Sequence, residues 1–194
     1  MKRIALILTV ALLCSCSGWT SAERKLIKAD GETMRVLTVD NREDSLVLRT
    51  PSAGLDGKMM KSDLLGELSR KMLATVTSPE QDGVGIAGPQ VGVNRRIVAV
   101  QRFDKEGEPF EVYPNIDIIE LRGSLVKGPE GCLSVPDMRG DVMRYSEVVI
   151  RYTSPTDLTV KTEVVQGYTA VIFQHEVDHL KGVLYTDRLV TDKL

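Results

Sequence analysis

The sequence predicts an α+β fold, with antiparallel β-sheets packed around a central helix. Two observations favour this class. Helical patterns occur at two widely separated places, one opening at Ser62 and one closing at Gly182. Between them lie several short apolar segments with the length and spacing of strands. Because these strands follow one another without helices between them, a doubly wound parallel sheet is not expected.

Residues 1–16 have the pattern of a targeting signal. A positively charged start is followed by an apolar run, residues 4–13, which is shorter than the about 20 residues that span a bilayer. The run ends in Leu13-Cys14-Ser15-Cys16, which resembles the lipobox of bacterial lipoproteins, with Cys16 as the residue that accepts the lipid. The polar residues 17–34 that follow are expected to be a tether.

The cellular location stays open at this point. With a lipid on Cys16, the protein would be anchored to a membrane and face the periplasm. If translation starts later, for example at Met34, the protein would be cytoplasmic. An apolar N-terminal helix that remains in the protein is a further alternative. In each case residues 35–194 are expected to form one domain, which is long enough to bury a core.

The N-terminal half of this domain contains one clear helix. Residues 36–39 resemble a short strand, and the polar residues 40–44 resemble a turn. Ser62 can serve as the N-cap of a helix in which apolar residues recur at three- and four-residue steps until Ser78-Pro79 ends it. The glycine-rich segment Asp82–Gly92 is expected to be an irregular loop.

The C-terminal half is predicted to be mostly strands, followed by one helix. Residues 148–152 and 158–165 flank the turn residues 154–157 and therefore indicate a β-hairpin. The final helix, residues 169–181, ends at Gly182, where a left-handed capping residue is favoured. Further strands are predicted at residues 97–100, 110–113, 116–121 and 130–135.

The composition is that of a globular protein without a nucleic-acid-binding surface. Hydrophobic residues make up 42% and charged residues 27% of the chain, which is the ordinary range. The 25 Lys and Arg residues against 27 Asp and Glu residues give a net charge of -2, so no basic face is expected. Aromatic residues are only 5% of the chain, which argues against stacking platforms for bases.

The final helix carries the motif HExxH, formed by His175, Glu176 and His179. Four residues are close to one helical turn, so both imidazoles project from the same face and can bind one metal ion. Glu176 can then face a water molecule as a general base. The chain contains two histidines in all. They follow the apolar residues 168–173, which indicates a buried helix rather than a solvated one.

A catalytic metal site commonly has three protein ligands and one open position. With both histidines used, the third ligand must be Cys, Asp or Glu. Cys132, in Glu130-Gly131-Cys132-Leu133-Ser134, is the only cysteine outside the signal-like segment. A lone cysteine cannot form an internal disulfide. Taken alone it would be interpreted as a small buried apolar residue, so the spacing by itself leaves its role open.

Three motifs together resemble those of the peptide deformylase family, which carries GxGxAAxQ, EGCLS and QHExxDHLxG in this order. The chain has Gly83 to Gln90 (GVGIAGPQ), then Glu130 to Ser134 intact, then Gln174 to Gly182 intact. The resemblance extends over about Val36 to Leu189. Two departures are Gly88, in place of the second alanine of the first motif, and Leu46, where the family commonly has proline.

The resemblance implies a metal-dependent hydrolase that removes the formyl group from the N-formylmethionine of newly made polypeptides. It implies Cys132, His175 and His179 as ligands of Fe(II), with nickel, cobalt or zinc as substitutes. Coordination chemistry alone would favour zinc. Glu176 would act as general base and then general acid on a water activated by the metal.

The resemblance also implies roles for residues around the metal. Gln90 and the backbone N–H of Leu133 would stabilise the oxyanion. Gly85 would bind the extended substrate backbone. The methionine side chain would contact Val84, Val171 and Ile172, although these aliphatic residues could equally be part of the hydrophobic core. The part of the peptide that follows methionine would contact Arg139, which could equally be an ordinary surface charge.

Two other functions remain open. A zincin-type peptidase also carries HExxH, but it would need a later third ligand, and no histidine follows His179. The other alternative is an exported, lipid-anchored protein that keeps the fold and acts on other formylated peptides or only binds them. Its motivation is the signal-like N-terminus. The presence of both Glu176 and Gln90 favours catalysis.

Overall fold

The computed structural model describes residues 18–190, and within them it shows five α-helices and two three-stranded antiparallel sheets. The predicted α+β class is confirmed. The signal-like residues 1–16, with Cys16, lie outside the described residues. No helix within residues 18–190 is both long and apolar enough to cross a membrane.

The segment expected to be a tether is instead folded onto the domain. Helix α1, Ser21–Ile27, begins at a capping box in which Thr20 and Glu23 each accept a hydrogen bond from the other's backbone N–H. Trp19 is only 6% exposed and Ile27 is fully buried, in the same apolar cluster as the core of the domain. The prediction of a tether was wrong because two widely spaced apolar anchors lie within a mostly polar stretch.

Three further helices precede the first sheet: α2 (Arg42–Leu48), α3 (Gly57–Met60) and α4 (Asp63–Val76). The run 40–44, predicted as a turn after a strand-like piece, is the beginning of α2. Asn41 caps this helix, since its side chain accepts hydrogen bonds from two backbone N–H groups of the first turn. No strand forms at residues 36–39.

The first sheet contains β1 (Gly85–Ala87), β2 (Ile97–Gln101) and β3 (Phe110–Pro114), in that order and antiparallel. The glycine-rich segment is therefore more regular than predicted. It contributes β1 and a 3-10 helix, Gly88–Val91, because pairing with β2 overrides the weak strand preference of glycine. Within this sheet β1 pairs on one side only, so its other edge is free.

The second sheet is formed by β4 (Asp117–Cys132), β5 (Val135–Thr153) and β6 (Val160–Gln166), again in order and antiparallel. The predicted β-hairpin is the β5–β6 pair. Its register joins Val148 to Val165, so both fully buried side chains lie on the same face of the sheet.

Helix α5, Gly167–Leu180, packs between the two sheets. Its apolar residues share one cluster with residues of β2, β3, β5 and β6. Gly182 follows with a left-handed φ of 72°, as predicted. A Cβ at this position would lie 2.4 Å from the carbonyl oxygen of Arg49, so the helix end requires glycine here.

Candidate active site

Three ligand side chains meet where α5 passes the end of β4. Cys132 is the last residue of β4, and His175 and His179 lie one turn apart on α5. Their ligand atoms lie within 4.8 Å of one another. Cys132 Sγ is 3.2 Å from His179 Nε2, and the two imidazole rings are 5.0 Å apart. The structure thus brings the three predicted ligands together.

The donor set fits a divalent transition-metal ion. Nδ1 of His175 lies 2.8 Å from Oε2 of Glu130, which leaves Nε2 of that ring for the cluster. A carboxylate behind a ligating imidazole fixes the ring and its tautomer. Nδ1 of His179 is buried and has no hydrogen-bond partner among the described residues. One thiolate and two imidazoles suit zinc, iron, cobalt and nickel.

The two histidines have opposite pKa shifts. Burial would lower the pKa of His175, but the thiol of Cys132 and the carboxylates of Glu130 and Glu176 outweigh it and raise the pKa to about 10. The pKa of His179 is lowered, by burial and by the neighbouring charge of His175. Because a metal binds neutral imidazole, it would compete with a proton for His175.

Glu176 lies beside the cluster and is 4% exposed. Burial raises the pKa of its carboxyl to about 7, a value suited to proton transfer near neutral pH. Its Oε1 is close to β1, since a Cβ on Gly85 would lie 2.5 Å from this oxygen and 2.9 Å from Cγ2 of Ile172. Only glycine leaves room for the carboxylate at this edge of the sheet.

Gln90 faces the same cluster from the 3-10 helix that follows β1. Its Oε1 accepts a hydrogen bond of 2.8 Å from the N–H of Ala87, so the amide nitrogen points the other way, 3.6 Å from Cys132 Sγ. The side chain is 1% exposed, which holds the donor in place. Leu133, next to Cys132, lines the same opening.

These groups lie in one cleft of about 710 Å³. Ile172 is buried and Val171 half-buried in its wall, whereas Arg139 is exposed at the rim beside Gly131. Their individual contacts with a substrate stay predictions. The predicted residues that line this cleft are Val84, Gly85, Gln90, Cys132, Leu133, Arg139, Val171, Ile172, His175 and Glu176.

A buried chain of ion pairs behind the ligands was missed from the sequence. Arg144 of β5, 4% exposed, donates to Glu130 at 2.8 Å and to Asp178 at 2.5 Å. Arg188 also donates to Asp178, at 2.5 Å. Glu130 and Asp178 belong to the recognised motifs and could have been singled out. Arg144 and Arg188 belong to none, and no local signal marks them.

The ion pairs act on the pKa of Glu130. Burial alone would raise it, but the hydrogen bonds from His175 and Arg144 outweigh burial and lower the pKa to about 2. The carboxylate is therefore charged throughout the physiological range. Glu130 therefore links His175 on α5, a candidate metal ligand, to the guanidinium of Arg144 on β5.

The two departures from the family motifs have different structural settings. At Gly88, a Cβ would lie 2.6 Å from the carbonyl oxygen of Val93 and 2.8 Å from that of Arg95. Alanine would therefore require this loop to shift. Leu46 is 66% exposed on α2, so no close packing restricts which side chain fits at this position.

The comparisons with known proteins agree in one family. The family model of polypeptide deformylases matches residues 34–194. A peptide deformylase of Leptospira biflexa is 37% identical over 155 residues, which cover 76% of this chain and 85% of the relative. One of Symbiobacterium thermophilum is 40% identical over 144 residues, covering 73% of this chain and 65% of the relative.

Solved structures agree as well. The Met-Ala-Ser-bound class I type b peptide deformylase of Acinetobacter baumannii is 35% identical, with a TM-score of 0.71 over 81% of this chain and 98% of that one. The Thermotoga maritima peptide deformylase is 28% identical, with a TM-score of 0.70 over 83% of this chain and 100% of that one. With its three motifs folded into one cleft, this chain belongs to the polypeptide deformylase family.

Proposed function

We propose that this chain removes the formyl group from the N-formylmethionine that begins a new polypeptide. The observation that carries the proposal is the cluster of Cys132, His175 and His179 with Glu176 beside it, next to a free strand edge. The relatives in Leptospira and Symbiobacterium are named peptide deformylases, and the Acinetobacter relative was solved with Met-Ala-Ser bound.

The substrate is held as an added strand. Its backbone lies along the free edge of β1, where Gly85 allows close approach and supplies backbone hydrogen bonds. Val84, Val171 and Ile172 surround the methionine side chain. Arg139, at the rim, contacts the peptide downstream of methionine.

The reaction adds the oxygen of water to the formyl carbon and breaks the C–N bond, which gives formate and a free amine. Cys132, His175 and His179 would hold a divalent ion, which would supply Lewis acidity and lower the pKa of water. Glu176 accepts a proton from the attacking water molecule and delivers it to the departing nitrogen. The side-chain amide of Gln90 and the N–H of Leu133 donate to the developing oxyanion.

Fe(II) is the metal we propose, with nickel, cobalt or zinc as substitutes. The donor set accepts all four, and iron is favoured by the family resemblance. Thiolate and Fe(II) are both sensitive to oxidation, so purification must be anaerobic. Metal analysis of such a preparation tests this proposal: specific activity should follow iron content. Activity that follows zinc content alone would contradict it.

Formate release from formyl-Met-Ala-Ser by the anaerobically purified full chain tests the reaction itself. A Glu176→Ala variant, with its metal content measured, is the control. Release that disappears in the variant supports deformylation. If iron, nickel, cobalt and zinc all fail to give release while the peptide still binds, the alternative of a protein that only binds formylated peptides is favoured.

We further propose that Cys16 is lipidated and holds the enzyme at the membrane, facing the periplasm. The lipobox-like pattern motivates this location, and so does the burial of Trp19 and Ile27, which a start at Met34 would remove from the core. Mass spectrometry of the native N-terminus distinguishes the two: an acylated Cys16 supports anchoring, and an N-terminal Met34 supports a cytoplasmic enzyme.

A further inference from the structure

Gly18 and Trp19, two and three residues after the predicted lipidation site, are held against the folded domain. The N–H of Gly18 donates to Asp56 Oδ2 at 2.7 Å, and Nε1 of Trp19 donates to the hydroxyl of Ser62 at 2.8 Å. The Trp19 side chain is almost completely buried. Residues 18 and 19 are therefore part of the domain surface, and not part of a linker.

A second set of contacts holds the same segment from the other side. Glu23 of α1 forms a two-bond ion pair with Arg95, at 2.6 and 3.0 Å. Both side chains are shielded, at 13% and 12% exposure, so salt screens the pair weakly. Arg95 also donates to the carbonyl oxygen of Gly18 at 3.4 Å. Residues 18–23 are thus held by contacts with two distant parts of the chain, residues 56–62 and Arg95.

Covalent reach then limits how far the domain can stand from a lipid on Cys16. Each residue spans at most about 3.6 Å, so the Cα atoms of Cys16 and Gly18 lie within about 7 Å. We propose, on the basis of the proposed anchoring at Cys16, that the domain lies directly against the membrane surface in one orientation. The face formed by Gly18 and by helix α3, with its capping residues Asp56 and Lys61, then lies against the lipid headgroups.

The chemistry of this face fits anionic headgroups. Lys58 and Lys61 are exposed beside a shallow hollow that also includes Asp56 and Gly57. Asp56 forms no ion pair with either lysine among the described residues, and its two oxygens accept from the backbone N–H groups of Lys58, Met59 and Gly18. The phosphate groups of anionic phospholipids are the partner that this surface favours. A tether would have allowed the domain to turn freely, whereas the docked segment does not.

Trp19 is the only tryptophan of the chain and therefore reports on this surface. The acylated full chain is reconstituted in vesicles of phosphatidylcholine and phosphatidylglycerol that carry a quencher on the headgroup. We expect strong quenching of Trp19 fluorescence. A variant with a long Gly/Ser linker inserted between Ser17 and Gly18 should lose this quenching and keep full formate release from soluble formyl-Met-Ala-Ser.

A K58E/K61E double variant tests the charge on the same face. It should show weaker quenching in vesicles with phosphatidylglycerol, because the reversed charges repel this face from the anionic headgroups while the lipid still holds the chain at the membrane. Its acylation and its turnover of the soluble peptide should stay unchanged, and quenching equal to that of the native chain would contradict the headgroup contact. If the acylated native chain is quenched no more strongly than the linker variant, the domain does not lie against the membrane, although the anchoring at Cys16 would still hold. Mass spectrometry shows separately whether Cys16 carries a lipid. A native chain without this lipid would overturn both the anchoring and the proposed contact of the domain with the membrane.

Discussion

Glu176 is the side chain on which the proposed chemistry most directly depends. It is buried, its pKa is raised to about 7 by that burial, and it stands between the ligand cluster and β1. We expect Glu176→Gln to lower kcat by about a hundredfold or more, because the amide cannot accept the proton of water. Formate release and metal content are measured on the same preparation. Normal turnover with a full complement of metal would contradict the role.

Gly85 shows how closely the backbone of β1 approaches the chemistry. A Cβ there would lie 2.5 Å from Oε1 of Glu176. Gly85→Ala should therefore displace the carboxylate and remove most activity while the protein remains folded. Gly128→Ala on β4 is the matched control, since a Cβ there meets no atom within 4 Å. Equal kcat/KM for the two variants would show that this close approach is unimportant.

Glu130 holds the ring of His175 from behind, at 2.8 Å. Removing its charge should loosen the orientation of this ligand and lower metal affinity by about 10- to 100-fold. Glu130→Gln is compared with Glu120→Gln, on the same strand but paired only with exposed Arg122. Metal loss is followed during titration with a chelator. Identical chelator curves for the two variants would argue against the role.

Among the secondary-structure elements, β4, β5 and α5 are joined by Arg144, which is paired with Glu130 and Asp178. Arg144→Met removes the cation that two buried carboxylates share and leaves Glu130 with His175 and Asp178 with the half-exposed Arg188. This loss should cost about 3–5 kcal/mol in the free energy of unfolding at neutral pH. Denaturant unfolding measures this loss. Arg122→Met, at an exposed pair, should cost less than about 1 kcal/mol.

The same experiment has a pH dependence of known sign. The pKa of Glu130 is about 2 in the folded protein and about 4.3 when unperturbed. A lowered pKa contributes stability above the unfolded value and loses it as the pH falls toward the folded value. The difference between Arg144→Met and the unaltered protein should therefore shrink from about pH 4.3 downward. A constant difference would contradict the assignment.

For the whole molecule, residues 18–33, which precede the family-matched region, contribute side chains to the core. Burying a large apolar side chain contributes about 1.5–3 kcal/mol, and residues 18–33 contribute both Trp19 and Ile27. A chain beginning at Met34 should melt at a clearly lower temperature than one beginning at Gly18. Calorimetry measures both. Equal Tm values would show that the segment is dispensable and would make a start at Met34 more credible.

Much of the fold could be predicted where one local pattern was strong. The hairpin of β5 and β6, the end of α5 at Gly182 and the helix after Ser62 follow from alternation, a capping glycine and helical periodicity. Predictions failed where pairing or packing with distant residues determines the conformation. Thus β1 forms in a glycine-rich stretch because β2 lies beside it. Helix α2 is a different case, because the feature that was missed there, the cap at Asn41, is local.

The ligand set could be proposed from residue types alone, because HExxH places two imidazoles on one helix face whatever surrounds it. The family motifs then pointed to Cys132. The tertiary structure was needed for everything that depends on distant residues meeting: the Arg144 ion pairs, the crowding of Gly85 by Glu176 and Ile172, and the docking of Trp19. These contacts join residues far apart in the chain, and no spacing along the sequence encodes such distances.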